Sequence, residues 1–178
     1  VEQEIMYSNN VKHGEARWYY TDGKLFRTTP YENDTINGTQ VQYYKDGKIK
    51  ARINFVNGSR EPGLEEYTKS GAKVTGYPSL TYRIQDDYKE RGIYKIFLEM
   101  SDLSENVKYY RGDFVNGLVD ISACTPLMQT ATTGYLDLRK DEGGNGIDSV
   151  TAIASYLPGQ GNRIYYRISI PVPYKDLK

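Results

Sequence analysis

The chain has 178 residues, with 23 basic and 23 acidic side chains, one Cys and one His. A zero formal charge argues against a nucleic-acid protein, which needs basic surface to neutralise phosphates, and offers no polybasic attraction to anionic lipid. No apolar run approaches the ~20 residues that span a bilayer as a helix, Cys124 has no partner for an intrachain disulfide, and the single His13 leaves little for metal or acid–base chemistry.

Tyr dominates the aromatics, 18 against 4 Phe and 1 Trp, alongside 17 Gly. Tyr favours strands and offers an apolar ring with a polar tip, so thin, partly exposed sheets are expected rather than a thick α/β core. The chain begins Val1-Glu2-Gln3-Glu4 without a visible signal peptide. A removed export signal leaves such a start, and so does a trimmed chain. The expectation is an exported protein, periplasmic or a surface lipoprotein, with a cytoplasmic location left open.

The first third of the chain repeats. Tyr19-Tyr20-Thr21-Asp22-Gly23-Lys24-Leu25 recurs 24 residues on as Tyr43-Tyr44-Lys45-Asp46-Gly47-Lys48-Ile49. A weaker copy, Tyr67-Thr68-Lys69-Ser70-Gly71-Ala72-Lys73, follows after the same interval. Tyr7, Tyr31 and Phe55 keep this period, as do Gly14 and Gly38. Each unit reads as a hairpin: Gly14 to Tyr20, a tight Asp22-Gly23 turn, then Lys24 to Tyr31. Asp-Gly predicts a type I′ turn, in which both central residues have φ > 0. Lys48 to Phe55 alternates as a strand should, with Ile49, Ala51, Ile53 and Phe55 on one face. Asn33, Asn37-Gly38 and Asn57-Gly58 mark the links between hairpins. A lone hairpin is marginal in water, and stacking hairpins lets them share one sheet. The degenerate third copy, running into Tyr77-Pro78, closes the array.

The pattern Gly-x-x-x-x-Tyr-Tyr-x-Asp-Gly-Lys with an aromatic-Val/Glu-Asn turn resembles the MORN-repeat variant of the bacterial antitoxin-type (YwqK-like) family over residues ~5–76. That resemblance implies a hairpin-repeat fold and no catalytic residue. Members are described as antitoxin components or as envelope proteins.

After Pro78 the period fades into short strand-like runs: Leu80–Gln85, Ile93–Met100, Val107–Phe114, Leu118–Ala123, Gly134–Leu138, Ser149–Leu157 and Arg163–Val172. About seven strands in ~100 residues is the size of an immunoglobulin-like sandwich. In the last run Ile164, Tyr166, Ile168, Ile170 and Val172 share one face, while Ile93–Met100 is apolar on both, as in a central strand. Cys124–Thr132, with Pro126, is the nearest candidate for a short helical turn. The expected architecture is all-β, with MORN-like hairpins over 1–77 and a sandwich over 78–178.

Several motifs carry chemistry on paper. His13 aligns with Asn37 and Pro62 in the other copies, so it reads as a turn position. Cys124, beside Ile121 and Ala123, reads as a small hydrophobe. The acidic, Gly-rich loop 141–148 offers Asp141, Asn145 and Asp148 as calcium candidates, without EF-hand spacing. Asp86-Asp87 and Glu65-Glu66 are adjacent carboxylates, which strands point to opposite faces, so neither pair forms a glycosidase couple alone. Arg111-Gly112-Asp113 spells an adhesion tripeptide in a turn-prone context, and sequons at Asn33, Asn37 and Asn57 fall in repeat turns.

The remaining candidates are Trp18, Tyr20 and Tyr44. One Tyr of each pair should enter the core; the other, with Trp18, forms an exposed aromatic ladder suited to protein partners or sugar rings. The expectation is a non-enzymatic binding or scaffold protein without cofactor, presenting a Tyr-rich repeat sheet to a protein partner at a bacterial envelope. The alternatives are carbohydrate or cell-wall binding by the C-terminal sandwich, and antitoxin-like neutralisation of a toxin.

Overall fold

A computed structural model describes residues 2–141, 143 and 146–178. The fold is almost entirely antiparallel β, in two compact units: residues 1–76 with Asn116–Val119, and residues 77–115 with Asp120–Lys178.

In the first unit, four long strands form one antiparallel sheet: β1 (Gly14–Tyr19), β2 (Leu25–Glu32), β3 (Gly38–Tyr43) and β4 (Ile49–Val56). Two-residue strands, Gln3–Glu4 and Glu65–Glu66, close its edges. One face buries Ala16, Thr29, Gln40, Ala51, Ile53 and Glu66, a core as polar as it is apolar.

Two kinds of turn alternate along this unit. At the repeated Tyr-Tyr-x-Asp-Gly segments, Gly23 N donates to Tyr20 O and Gly47 N to Tyr44 O, both at 2.9 Å. Only the glycines have positive φ, 83° and 86°, and the register slips at Trp18/Tyr19 and Gln42/Tyr43. These are type I turns closed by a glycine bulge, not the type I′ turns expected from Asp-Gly. The physical reason lies in the Asp side chain. Asp22 Oδ1 accepts from Lys24 N at 3.3 Å and Asp46 Oδ1 from Lys48 N at 3.1 Å. Such Asx-type bonds to the backbone two residues on hold the turn without positive φ at Asp. The third copy keeps the same turn, with Gly71 N donating to Thr68 O at 2.9 Å.

Type I′ geometry does occur, at the links. Asn9-Asn10, Asn33-Asp34 and Asn57-Gly58 each place two successive residues at positive φ, 24 residues apart. These link turns form a ladder: Asp34 N donates to Lys12 O at 2.9 Å, and Gly58 N to Ile36 O at 2.8 Å. Phe114-Val115-Asn116-Gly117 repeats Phe55-Val56-Asn57-Gly58 letter for letter. Asn116 and Gly117 again take positive φ, and Val119 N donates to Arg60 O at 2.8 Å.

The second unit holds two four-stranded antiparallel sheets. Its strands are β5 (Leu80–Asp87), β6 (Ile93–Met100), β7 (Val107–Arg111), β8 (Thr125–Pro126), β9 (Met128–Gln129), β10 (Thr133–Arg139), β11 (Ser149–Tyr156) and β12 (Ile164–Pro171). The orders are β5-β6-β10-β9 and β8-β7-β11-β12. Both sheets feed one core. Tyr94, Ile96, Leu98 and Met100 come from β6, Leu136 and Leu138 from β10, Val107 and Tyr109 from β7, and Val150, Ala152 and Ala154 from β11. Each fully buried Leu or Ile contributes roughly 1.5–3 kcal/mol of transfer free energy. Gly134 makes the packing possible: a Cβ there would lie 2.6–2.7 Å from the Tyr109 side chain.

Three local expectations are corrected. Leu118–Ala123 is not a strand: Val119 makes one isolated bridge and Ile121–Ala123 is a 3-10 turn capped by Asp120. Cys124–Thr132 holds β8 and β9 rather than a helical turn. Here Pro126 sits on an edge strand, where a missing N–H costs nothing. In β6 the face opposite the core carries Lys95, Phe97 and Glu99, half-buried rather than apolar throughout. The helix of this unit, Tyr88–Arg91, is a single turn ended by Gly92 at φ 64°.

Candidate functional site

Tyr20 and Tyr44 close β1 and β3 and lie one repeat apart, so the repeat sets them side by side. Their rings line a groove of about 340 Å³ with Lys45, Asp46 and Lys69. Neither hydroxyl is free. Tyr20 Oη donates to Tyr43 O and Tyr44 Oη to Tyr67 O, both at 2.7 Å. Each Tyr therefore bonds the backbone of the next repeat, and the column is structural as well as aromatic. The third copy has Thr68 at this position, which has no ring to continue the series. The Tyr20 ring packs edge-on to Phe26, with centroids 5.1 Å apart. Burial, with the Asp22 charge adding to it, raises the Tyr20 hydroxyl's pKa.

The groove's rim carries two lysines, Lys45 and Lys69, and one carboxylate, Asp46. Lys45 Nζ stands 5.5 Å from the Tyr20 ring centroid and 3.8 Å from Asp22 Oδ2. Lys48 Nζ donates to Lys69 O at 2.9 Å. The rim lysines were not singled out by sequence reasoning, although column 21/45/69 reads Thr, Lys, Lys. An aromatic floor edged by two ammonium groups and a carboxylate can take aromatic and charged side chains.

Trp18 does not line this groove. It is half-buried, paired with Gln3 and Arg27 on its two flanks, and the Arg27 guanidinium covers its ring at 4.0 Å. Desolvation lowers the Arg27 pKa. The expected ladder of three thus separates into a Tyr20–Tyr44 groove and a Trp18–Arg27 stack.

A second concavity, of about 500 Å³, lies on the outer face of the sheet β5-β6-β10-β9. Its lining includes Phe97, Tyr135, Met128, Lys95 and Asp137. Phe97 and Tyr135 meet edge to face at 5.6 Å, and Met128 is 84% exposed. Sequence reading missed this patch because its residues come from three strands without a shared motif.

The other motifs find structural partners. Asp113 of the Arg-Gly-Asp tripeptide is held by Arg167 through two bonds, 2.5 and 2.8 Å. This pair depresses the Asp113 pKa. Cys124 is buried, and desolvation raises its thiol, opposite to the environment of a nucleophilic Cys. Asp86 Oδ2 accepts from Tyr174 Oη at 2.7 Å, Asp87 pairs with Arg91 at 3.6 Å and Glu65 with Lys73 at 2.6 Å, while Glu66 is buried. In the calcium candidate loop, Asp141 Oδ1 accepts from Gly143 N, and Asp148 meets Val172 through its backbone carbonyl; Asn145 lies outside the described residues. Among the described residues no three His, Cys, Asp or Glu side chains cluster as a metal site. No described helix is long and apolar enough to cross a membrane.

Searches of curated proteins and of solved structures found no match. The match to a family model carries the MORN repeat variant and not the antitoxin-type label. Residues 12–33 and 36–57, each holding one full hairpin, match the family model of the MORN repeat variant.

Proposed function

We propose that this protein is a non-catalytic scaffold whose repeat unit docks a protein partner along the Tyr20–Tyr44 groove. MORN repeats are generally associated with binding or scaffold roles, which supports this class. The observation that carries the specific reading is the groove itself: two Tyr rings one repeat apart, floored by inter-repeat hydrogen bonds and rimmed by Lys45 and Lys69. Because the rings are already fixed, a partner loses little entropy in ordering them, the usual advantage of a rigid aromatic anchor. The buried Cys124 and the individually paired acidic residues support a role without covalent or acid–base chemistry.

The test is affinity between the purified chain and a partner co-purified from its host and identified by mass spectrometry. Lys45→Glu with Lys69→Glu reverses the rim without touching the Tyr hydroxyl bonds. Calorimetry should show at least a ~tenfold weaker Kd, about 1.4 kcal/mol. An unchanged Kd would remove the groove from the interface.

A second reading concerns the C-terminal unit. Its strand orders correspond to A-B-E-D and C′-C-F-G of an immunoglobulin-like sandwich, and we read it as one. The Phe97–Tyr135 patch, flanked by Lys95 and Asp137, offers ring faces beside polar groups, as carbohydrate binding requires. A glycan panel read by thermal shift tests it, with Tyr135→Ala expected to abolish any response.

A further inference from the structure

Sheet edges carry unpaired N–H and C=O groups, and natural proteins guard them with short strands, Pro, Lys or bulges. In this chain most edges follow that rule. Gln3–Glu4, Glu65–Glu66, β8 and β9 are two residues each, β8 contains Pro126, and the long edge β12 ends in Pro171.

β5 breaks it. Leu80–Asp87 is eight residues long, lies at the end of its sheet, and pairs with β6 in eight consecutive matches without a bulge. It contains neither Pro nor Lys, and its charges are Arg83, paired with Glu99 at 3.3 Å, and Asp86 and Asp87 at its end. Thr81 to Asp86 are all exposed. Tyr82 and Ile84 are 38% and 42% exposed although they stand beside Leu98 and Ile96, which are fully buried. The inward charge on this strand, Asp86, is held by Tyr174 Oη near its end, and the Tyr82–Ile84 row ahead of it leaves an apolar stretch of edge open to pairing.

We propose that β5 pairs antiparallel with β5 of a second copy of this chain, joining the two β5-β6-β10-β9 sheets across a two-fold axis at Ile84. The sequence of the strand fits a second copy, and the apolar row favours one register. Centring on Ile84 opposes Ile84 to Ile84, Tyr82 to Asp86, Arg83 to Gln85 and Thr81 to Asp87. No like charges face each other, and the Tyr82 and Ile84 rows of both copies form one apolar cluster through diagonal contacts. Centring on Arg83 would oppose two guanidinium groups, and centring on Gln85, although it opposes Arg83 to Asp87, would set Ile84 against Asp86 and lose the Ile84–Ile84 contact. An isologous contact of this kind is self-limiting, producing a closed dimer rather than a fibre. The chain's formal charge of +0 adds no net repulsion between copies.

Cysteine cross-linking of the intact chain tests it cleanly because the native Cys124 is buried. Directly opposed residues in an antiparallel pair have Cα atoms about 4.5–5.5 Å apart, within disulfide range. Ile84→Cys should therefore give a disulfide-linked dimer under mild oxidation at least ~tenfold faster than Met128→Cys, an exposed control off this edge. Sedimentation equilibrium should show a wild-type dimer, and Ile84→Lys should return it to monomer with unchanged circular dichroism. A monomeric wild type, or equal cross-linking of the two Cys variants, would overturn the proposal. So would β5 amides that gain exchange protection only when a different protein is added, since the edge would then serve a foreign strand.

Discussion

Replacing Tyr44 by Phe removes one hydroxyl and leaves the groove's ring in place. The lost bond is the 2.7 Å contact to Tyr67 O, which joins the second hairpin to the third. A neutral hydrogen bond of this kind contributes about 1 kcal/mol net, and leaving a part-buried carbonyl unpaired raises the expected loss to about 1–2 kcal/mol. Tyr20→Phe removes the equivalent bond to Tyr43 O and should cost the same. The two sites are one repeat apart, so the double variant should lose about 2–4 kcal/mol, close to the sum. Trp18 is the only Trp and lies in the repeat unit, so its fluorescence follows that unit's urea unfolding. With a slope of about 1–2 kcal/mol/M, each single variant should lower the midpoint by roughly 0.5–2 M. Midpoints unchanged in both single variants would refute the claim that these hydroxyls join successive repeats.

Other expectations follow from the same geometry. Gly134→Ala forces a Cβ into the Tyr109 ring and should destabilise the C-terminal unit by about 3 kcal/mol, read as a lowered Tm. The Cys124 thiol should label with maleimide much more slowly than a free thiol at pH 8, and at full rate once urea unfolds the chain, followed by mass. Asp113 titrates below its unfolded value because of Arg167, so the pair's contribution is complete above about pH 4 and disappears as pH falls through the folded pKa. Both side chains are over 40% exposed, so that contribution is about 0.5 kcal/mol or less. The stability difference between wild type and Asp113→Asn should accordingly shrink as the pH falls below the ordinary Asp range, measured by thermal melts across pH.

The repeat was legible because its signals are local. Asn and Gly at 24-residue spacing dictate where the chain turns, and alternation in Ile49–Val56 dictates which face is buried. Turn type was less legible, since Asp22 and Asp46 bond backbone N–H groups that a dipeptide preference does not include. The Tyr20–Tyr44 pairing could be anticipated from the period. The Arg27 cover over Trp18 could not, since it depends on cross-strand register. The Phe114–Gly117 copy of the link turn was readable as text, yet it lies 59 residues beyond its twin and outside the period. The Phe97–Tyr135–Met128 patch was invisible because tertiary pairing alone brings those residues together.

The proposed interface places a protein partner in the Tyr20–Tyr44 groove. Its most direct test is site-specific photo-cross-linking of the full chain in its host, with the photoreactive residue placed at Lys45, Lys69 or Met128. One discrete adduct is expected from positions 45 and 69 and none from 128. An adduct from 128 with neither rim position reacting would contradict this placement and move the interface to the C-terminal unit.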